Sequence, residues 1–242
     1  GHFRAIHWIA SIGYPLSFLF SLGAISAFLS DQKAARIRYQ TAALFACAIF
    51  THPAALSALI FCIYLSLRKT RSVKQTLPTV YPHIAVGAVC LGIAYLAYPA
   101  STQVAAVTLN SDLTRIGQMT LWYLGRLLTT AHWLWSGLKE TPEMWEYPAG
   151  SLVLISLLTL SIRGKGVVAH AAAWTLIMLL PFVNTSPGYR WMPAGPSRHL
   201  YFASAGFSIL LGWGLIRISE LLSQRIWKGR QQILLRAIVL VM

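Results

Sequence analysis

Long apolar runs alternate with short polar breaks along this chain, and most of its charges lie in the breaks. A helix rises about 1.5 Å per residue, so roughly 20 apolar residues cross a hydrocarbon core of about 30 Å. Residues 6–29 meet that length, with Trp8 as an interface anchor and Pro15 as a kink, since neighbouring helices can absorb the freed carbonyl. The run 41–67 would extend about 40 Å as one helix, too long without strong tilt, and Thr51, His52 and Pro53 interrupt it. The pattern there predicts two short helices turning at His52-Pro53. Residues 77–98 form the next crossing and lead into an uncharged loop, 99–110. Two more crossings, 148–162 and 167–183, are joined by Arg163-Gly164-Lys165-Gly166. A further crossing covers 199–218, and 233–242 begins another.

Residues 111–135 follow a different rhythm. Ser111 is an N-cap candidate and Asp112 suits the positive end of a helix. Arg115, Gln118, Trp122, Arg126 and Thr129 recur at three- and four-residue steps, with Ile116, Met119, Tyr123 and Leu127 on another face. This predicts an amphipathic helix lying in the interface, with Trp122, Trp133 and Trp135 at headgroup depth. A helix buried in the bundle is the other arrangement that the pattern allows. Glu140, Glu143 and Glu146 then read as a solvated loop.

The expected fold is therefore all-α: a polytopic transmembrane helical bundle of about seven full spans, a partial eighth and one interfacial amphipathic helix, in a single domain over 1–242. Gly1 at one end and an apolar run at the other suggest a piece of something longer. Composition agrees on the solvent, because 56% of residues are hydrophobic and only 11% charged, whereas soluble domains are about a quarter charged. A net charge of +14 would suggest nucleic acid in a soluble protein. Here the basic residues sit in short loops between apolar runs, which is the pattern of cytoplasmic membrane loops, so nucleic acid is not an expected partner. Placing 31–40, 68–74, 163–166 and the stretch after Arg217 on the cytoplasmic side leaves residue 1 and the loop 184–198 on the other side. The expected location is a bacterial inner membrane. Cys47, Cys62 and Cys90 lack metal-ligand spacing and read as small buried hydrophobes, and no metal is expected.

Candidate chemistry concentrates in 184–207, a Pro/Gly-rich loop running into an apolar segment. Arg190, Arg198 and His199 stand where membrane meets water. Guanidinium groups grip a phosphate at two points and stay charged, which suits the two arginines to a phosphate at the membrane boundary. The plainer alternative is snorkelling, in which a basic side chain at a helix end only reaches the headgroups. His52 and Tyr201 are candidate pocket-lining residues. Embedded histidines can ligate a haem iron or the magnesium of a chlorophyll-type pigment, which nominates His170 and His83. His170 lies in Ala169-His170-Ala171-Ala172-Ala173-Trp174, a small-residue run that also favours close helix packing.

The run Pro196-Ser-Arg-His-Leu-Tyr-Phe-Ala-Ser-Ala-Gly-Phe207 resembles the R-Y-L-Y-x-P-S-x-G-F signature of the GT-C class of polytopic glycosyltransferases. It is most similar to bacterial relatives of the tetratricopeptide-linked mannosyltransferases. Arg198, Leu200, Tyr201, Ser204, Gly206 and Phe207 match the pattern, while His199 and Ala203 depart from it. Residues 2–29 resemble that class's H-x-x-x-x-W helix, and Leu121-Trp-Tyr-Leu-Gly-Arg126 is similar to another of its runs. The resemblance implies transfer of a sugar from a polyprenyl-phosphate carrier on the non-cytoplasmic face, with basic residues, here Arg190, Arg198 and His199, holding the lipid phosphate. His52-Pro53 replaces a Lys-Glu pair of the class, and the acidic first outer loop that carries its general base has no counterpart here. The second expectation follows from those departures. It is a non-catalytic membrane subunit derived from the same fold, contacting lipids, pigments or other subunits of a photosynthetic or respiratory assembly.

Overall fold

A computed structural model describes residues 12–30, 35–97, 113–128, 144–183 and 200–226. These residues are helical, with no strand among them. The helices are α1 (Gly13–Leu29), α2 (Ala35–Thr51), α3 (Leu56–Thr70), α4 (Val73–Ala97), α5 (Leu113–Leu128), α6 (Glu146–Arg163), α7 (Gly166–Val183) and α8 (Tyr201–Ile226). A 3₁₀ turn, Pro53–Ala55, joins α2 to α3.

The break in the run 41–67 falls where the sequence places it. A residue before proline is pushed out of the α region, and His52 adopts extended angles, φ −161° and ψ 126°. The chain then reverses, since Arg38 near the start of α2 and Lys69 near the end of α3 border the same cleft. α4 packs against both helices. The α3–α4 turn is tight: Arg71 takes the left-handed conformation at φ 55° and its N–H bonds the Leu67 carbonyl at 2.8 Å.

α1 runs antiparallel to α2 and is bound to it by Ser17, whose hydroxyl donates to the Ala48 carbonyl at 3.0 Å. α7 is the hub of the bundle, touching α3, α5, α6 and α8. Its small residues permit this. Gly206 of α8 lies so close to Ala171, Trp174 and Thr175 that a Cβ there would collide with all three. The two ends of the bundle are distinct: Tyr14, His52 and Phe182 gather at one, and Arg38, Lys69 and Gly164 mark the other.

Three helices are long and apolar enough to cross a membrane: Val73–Ile93, Gly166–Val183 and Tyr201–Leu222. The count of seven full spans is not reached among the described residues. Among the described residues α1 and α2 have 17 residues each and α3 has 15, short of the length a bilayer core requires. α8 is longer than its predicted span, and only 11% of its apolar window is buried.

The amphipathic helix α5 lies antiparallel along α6, in backbone contact with it. A Cβ on Gly125 would overlap the Glu146 carbonyl, and one on Gly150 would overlap that of Leu121. Trp122 and Arg126, assigned by periodicity to a polar face at headgroup depth, are buried. Glu146, read from the sequence as part of a solvated loop, is fully buried. Cys62 and Cys90 are buried as expected, but Cys47 is exposed on α2. The residues 129–143 and 233–242, on which other parts of the predicted topology rest, lie outside the described residues.

Candidate functional site

The most developed cluster of side chains nominated by sequence stands at the His52 end. With Thr51 closing α2 and Pro53 opening the 3₁₀ turn, His52 becomes the turn's N-cap, and its Nδ1 accepts the Ala54 N–H at 3.1 Å. An Nδ1 that accepts a hydrogen bond carries no proton, so the neutral ring holds its proton on Nε2. The imidazole stands 4.2 Å from the Tyr14 ring, between centroids, and 6.4 Å from Phe182.

One helical turn along α1, Phe18 continues this wall. Its ring lies 5.4 Å from Tyr201, 5.3 Å from Phe202 and 6.0 Å edge-on from Trp174. Trp174 fixes the start of α8 directly, because its indole N–H donates to the Phe202 carbonyl at 2.7 Å. Aromatic pairs at these separations add about 0.5–1.5 kcal/mol each beyond the area they bury. Phe182 in the last turn of α7 and Tyr201 at the first of α8 are therefore both seated on α1, and the segment between them is 184–199. Arg190, Arg198 and His199 fall in that segment, outside the described residues.

The structure thus brings His52 and Tyr201, nominated separately as pocket lining, to one aromatic wall formed on Tyr14 and Phe18. It keeps the two nominated ligand histidines apart from that wall and from each other. His83 is buried in mid-bundle, with its ring 5.6 Å from Phe28 and 5.7 Å from Phe45. His170 is near the opposite end, beside Tyr64, with Nδ1 2.6 Å from the Gly166 carbonyl. A carbonyl only accepts, so Nδ1 carries the proton there and Nε2 keeps its lone pair. Among the described residues, no three of His, Cys, Asp or Glu come together as a metal site would require.

Sequence reasoning missed the deepest polar feature. Arg126 Nε lies 2.6 Å from Glu146 Oε1, with the two side chains 4% and 1% exposed, and the guanidinium also stands over the Trp122 ring at 5.8 Å. The signal was present, since a charge inside a membrane bundle is expected to find an opposite partner. Glu220, the other carboxylate among the described residues, is bonded to Arg217 at 2.8 Å on α8.

An all-helical membrane protein is what this fold defines, with an aromatic wall seating both flanks of an arginine-bearing segment. The chain matches no family model, no curated protein and no solved structure.

Proposed function

We propose that the protein is the membrane domain of a lipid-linked-sugar glycosyltransferase of the GT-C kind, and that it binds a polyprenyl-phosphate sugar at the His52 end. The observation that supports this is the seating of Phe182 and Tyr201 on Tyr14 and Phe18. It joins the segment bearing Arg190, Arg198 and His199 to a wall that already holds a hydrogen-bonding imidazole. On this reading Arg190 and Arg198 take the phosphate oxygens, and Tyr14, His52 and Tyr201 line the sugar's pocket. The end concerned faces the non-cytoplasmic side of a bacterial inner membrane, with the basic residues at the opposite end facing the cytoplasm. The finer topology, with spans additional to the three, belongs to the same proposal.

The test is binding of a short-chain polyprenyl-phosphate hexose to the full chain in lipid nanodiscs, read alongside release of free polyprenyl phosphate. Wild-type protein binds it, and Arg198→Ala removes both binding and release. Undiminished binding by Arg198→Ala would overturn the phosphate role.

One observation favours a second reading, that of a non-catalytic membrane subunit. Among the described residues both carboxylates, Glu146 and Glu220, are engaged by arginines, which leaves neither placed as a general base for an acceptor hydroxyl. Carrier binding without release would establish this alternative. A pigment or haem on such a subunit would suit His170 best, because an Nδ1–H bonded to a carbonyl orients Nε2 for ligation. A visible absorbance spectrum of the purified protein decides that point.

A further inference from the structure

At the end of the bundle opposite His52, a cleft of about 510 Å³ opens between the last turns of α1 and α3 and the first turns of α2 and α4. Its lining is two-sided. Arg38 and Lys69 supply the charge, Ser66 and Thr70 supply hydroxyls, and Phe28 and Leu65 form an apolar wall. Among the described residues, no carboxylate lines it.

The three basic residues around this turn have separate tasks. Arg68 is taken up structurally: its guanidinium donates to the carbonyls of Ser161, Ile162 and Gly164 at 3.1, 3.3 and 3.0 Å, tying α3 to the α6–α7 turn. Arg71 closes the left-handed turn. Lys69, between them, borders the cleft. The floor is fixed as well, because Thr70 Oγ1 donates to the Ser66 carbonyl at 3.0 Å and lies 2.9 Å from Thr76 Oγ1. The cleft is thus formed from ordered helix ends.

The geometry points to a phosphate-bearing lipid as the occupant: Arg38 and Lys69 take the headgroup phosphate and one acyl chain lies along Phe28 and Leu65. Charge complementarity selects an anion, and a guanidinium beside an ammonium group matches the several acceptor oxygens of a phosphate. The apolar wall selects an amphiphile over a free ion. So does position, since the cleft borders the start of α4, one of the three helices long enough to span a bilayer, at the depth where hydrocarbon gives way to water. The volume lies within the usual range for a bound small ligand, about 300–1,000 Å³. This site is separate from the one proposed for the sugar carrier, and its test does not involve Arg198.

Native mass spectrometry of the full chain released from detergent provides the experiment, with dioleoylphosphatidylglycerol, dioleoylphosphatidylcholine and inorganic phosphate as probes. One phosphatidylglycerol is retained in preference to phosphatidylcholine, and inorganic phosphate does not displace it at matched concentration. Arg38→Gln combined with Lys69→Gln lowers retention about tenfold, while Arg36→Gln with Lys74→Gln, the same loss of charge from residues outside the lining, changes it less than about twofold. Circular dichroism confirms that both doubles stay helical, and Lys69→Arg keeps retention near the wild-type level. Equal losses in the two doubles would reduce the effect to general surface charge and overturn the site. Displacement by inorganic phosphate would overturn the lipid in favour of a free ion.

Discussion

Arg126 and Glu146 meet at 2.6 Å across the α5–α6 contact, side chain to side chain and almost wholly out of solvent. Residues 127–145 separate them in sequence, so the pair joins two segments that composition alone presents as an amphipathic helix and an acidic loop. Burying two charges is costly in itself, and their value to the fold lies in each being matched by the other.

Removing one partner therefore leaves a stranded charge. Glu146→Ala should cost about 3–5 kcal/mol of stability. Replacing both, as Arg126→Met with Glu146→Leu, should recover most of that loss, because two apolar groups need no matching. Thermal unfolding of the three proteins in one detergent makes the comparison. If the double variant is as unstable as the single, the pair does more than satisfy itself.

The same contact rests on two glycines. A side chain at Gly150 meets the Leu121 carbonyl, backbone that cannot turn away, whereas Gly117 on the same pair of helices has open space around it. Gly150→Ala should push α5 from α6 at a cost of at least about 1–3 kcal/mol, an overpacking penalty. Gly117→Ala should stabilise by up to about 1 kcal/mol through helix propensity. Opposite signs in the same unfolding assay are the expected result, and a neutral Gly150→Ala would mean that the helices do not lie backbone to backbone.

Arg68 illustrates a basic residue whose charge is secondary to its geometry. Its fork spans three carbonyls at the α6–α7 turn, and lysine offers a single point in place of a planar fork. Both Arg68→Ala and Arg68→Lys should loosen that turn, with faster amide hydrogen exchange at 164–168 and little change elsewhere. Full protection in Arg68→Lys would show that charge alone suffices there.

Much of this was legible in the sequence, for identifiable reasons. The break at His52-Pro53 follows from backbone sterics that act within two residues, and the Arg163–Gly166 turn from a local run of charge and glycine. The union of α5 with α6 was not legible. Helical periodicity assumes a helix with one neighbour and one solvent, but Trp122 and Arg126 find partners on what was read as the polar face. Nor does apolar character fix where a helix ends: the pattern predicts a crossing over 199–218, and α8 continues to Ile226. At the candidate site, His52 and Tyr201 could each be nominated, but only the packing of Tyr14 and Phe18 brings them to one wall.

The broadest prediction concerns the two ends of the bundle. Pro53 and Lys69 are both exposed; Pro53 lies just before α3 and Lys69 in its last turn, about 20 Å along the axis from the helix start. Lys69 stands with Arg38 at the cleft and Pro53 beside His52 at the aromatic wall, and the topology proposed for the protein puts them toward opposite faces. In a protein with Cys47, Cys62 and Cys90 replaced by serine or alanine, Pro53→Cys and Lys69→Cys should each react with a membrane-impermeant maleimide from one side of sealed vesicles only. The side should differ between them. By the distribution of basic residues, Lys69→Cys is the one that reacts from the cytoplasmic side. Both positions labelling from the same compartment would mean that α3 returns to the face it left, and the two sites proposed for opposite ends would then have to share one surface.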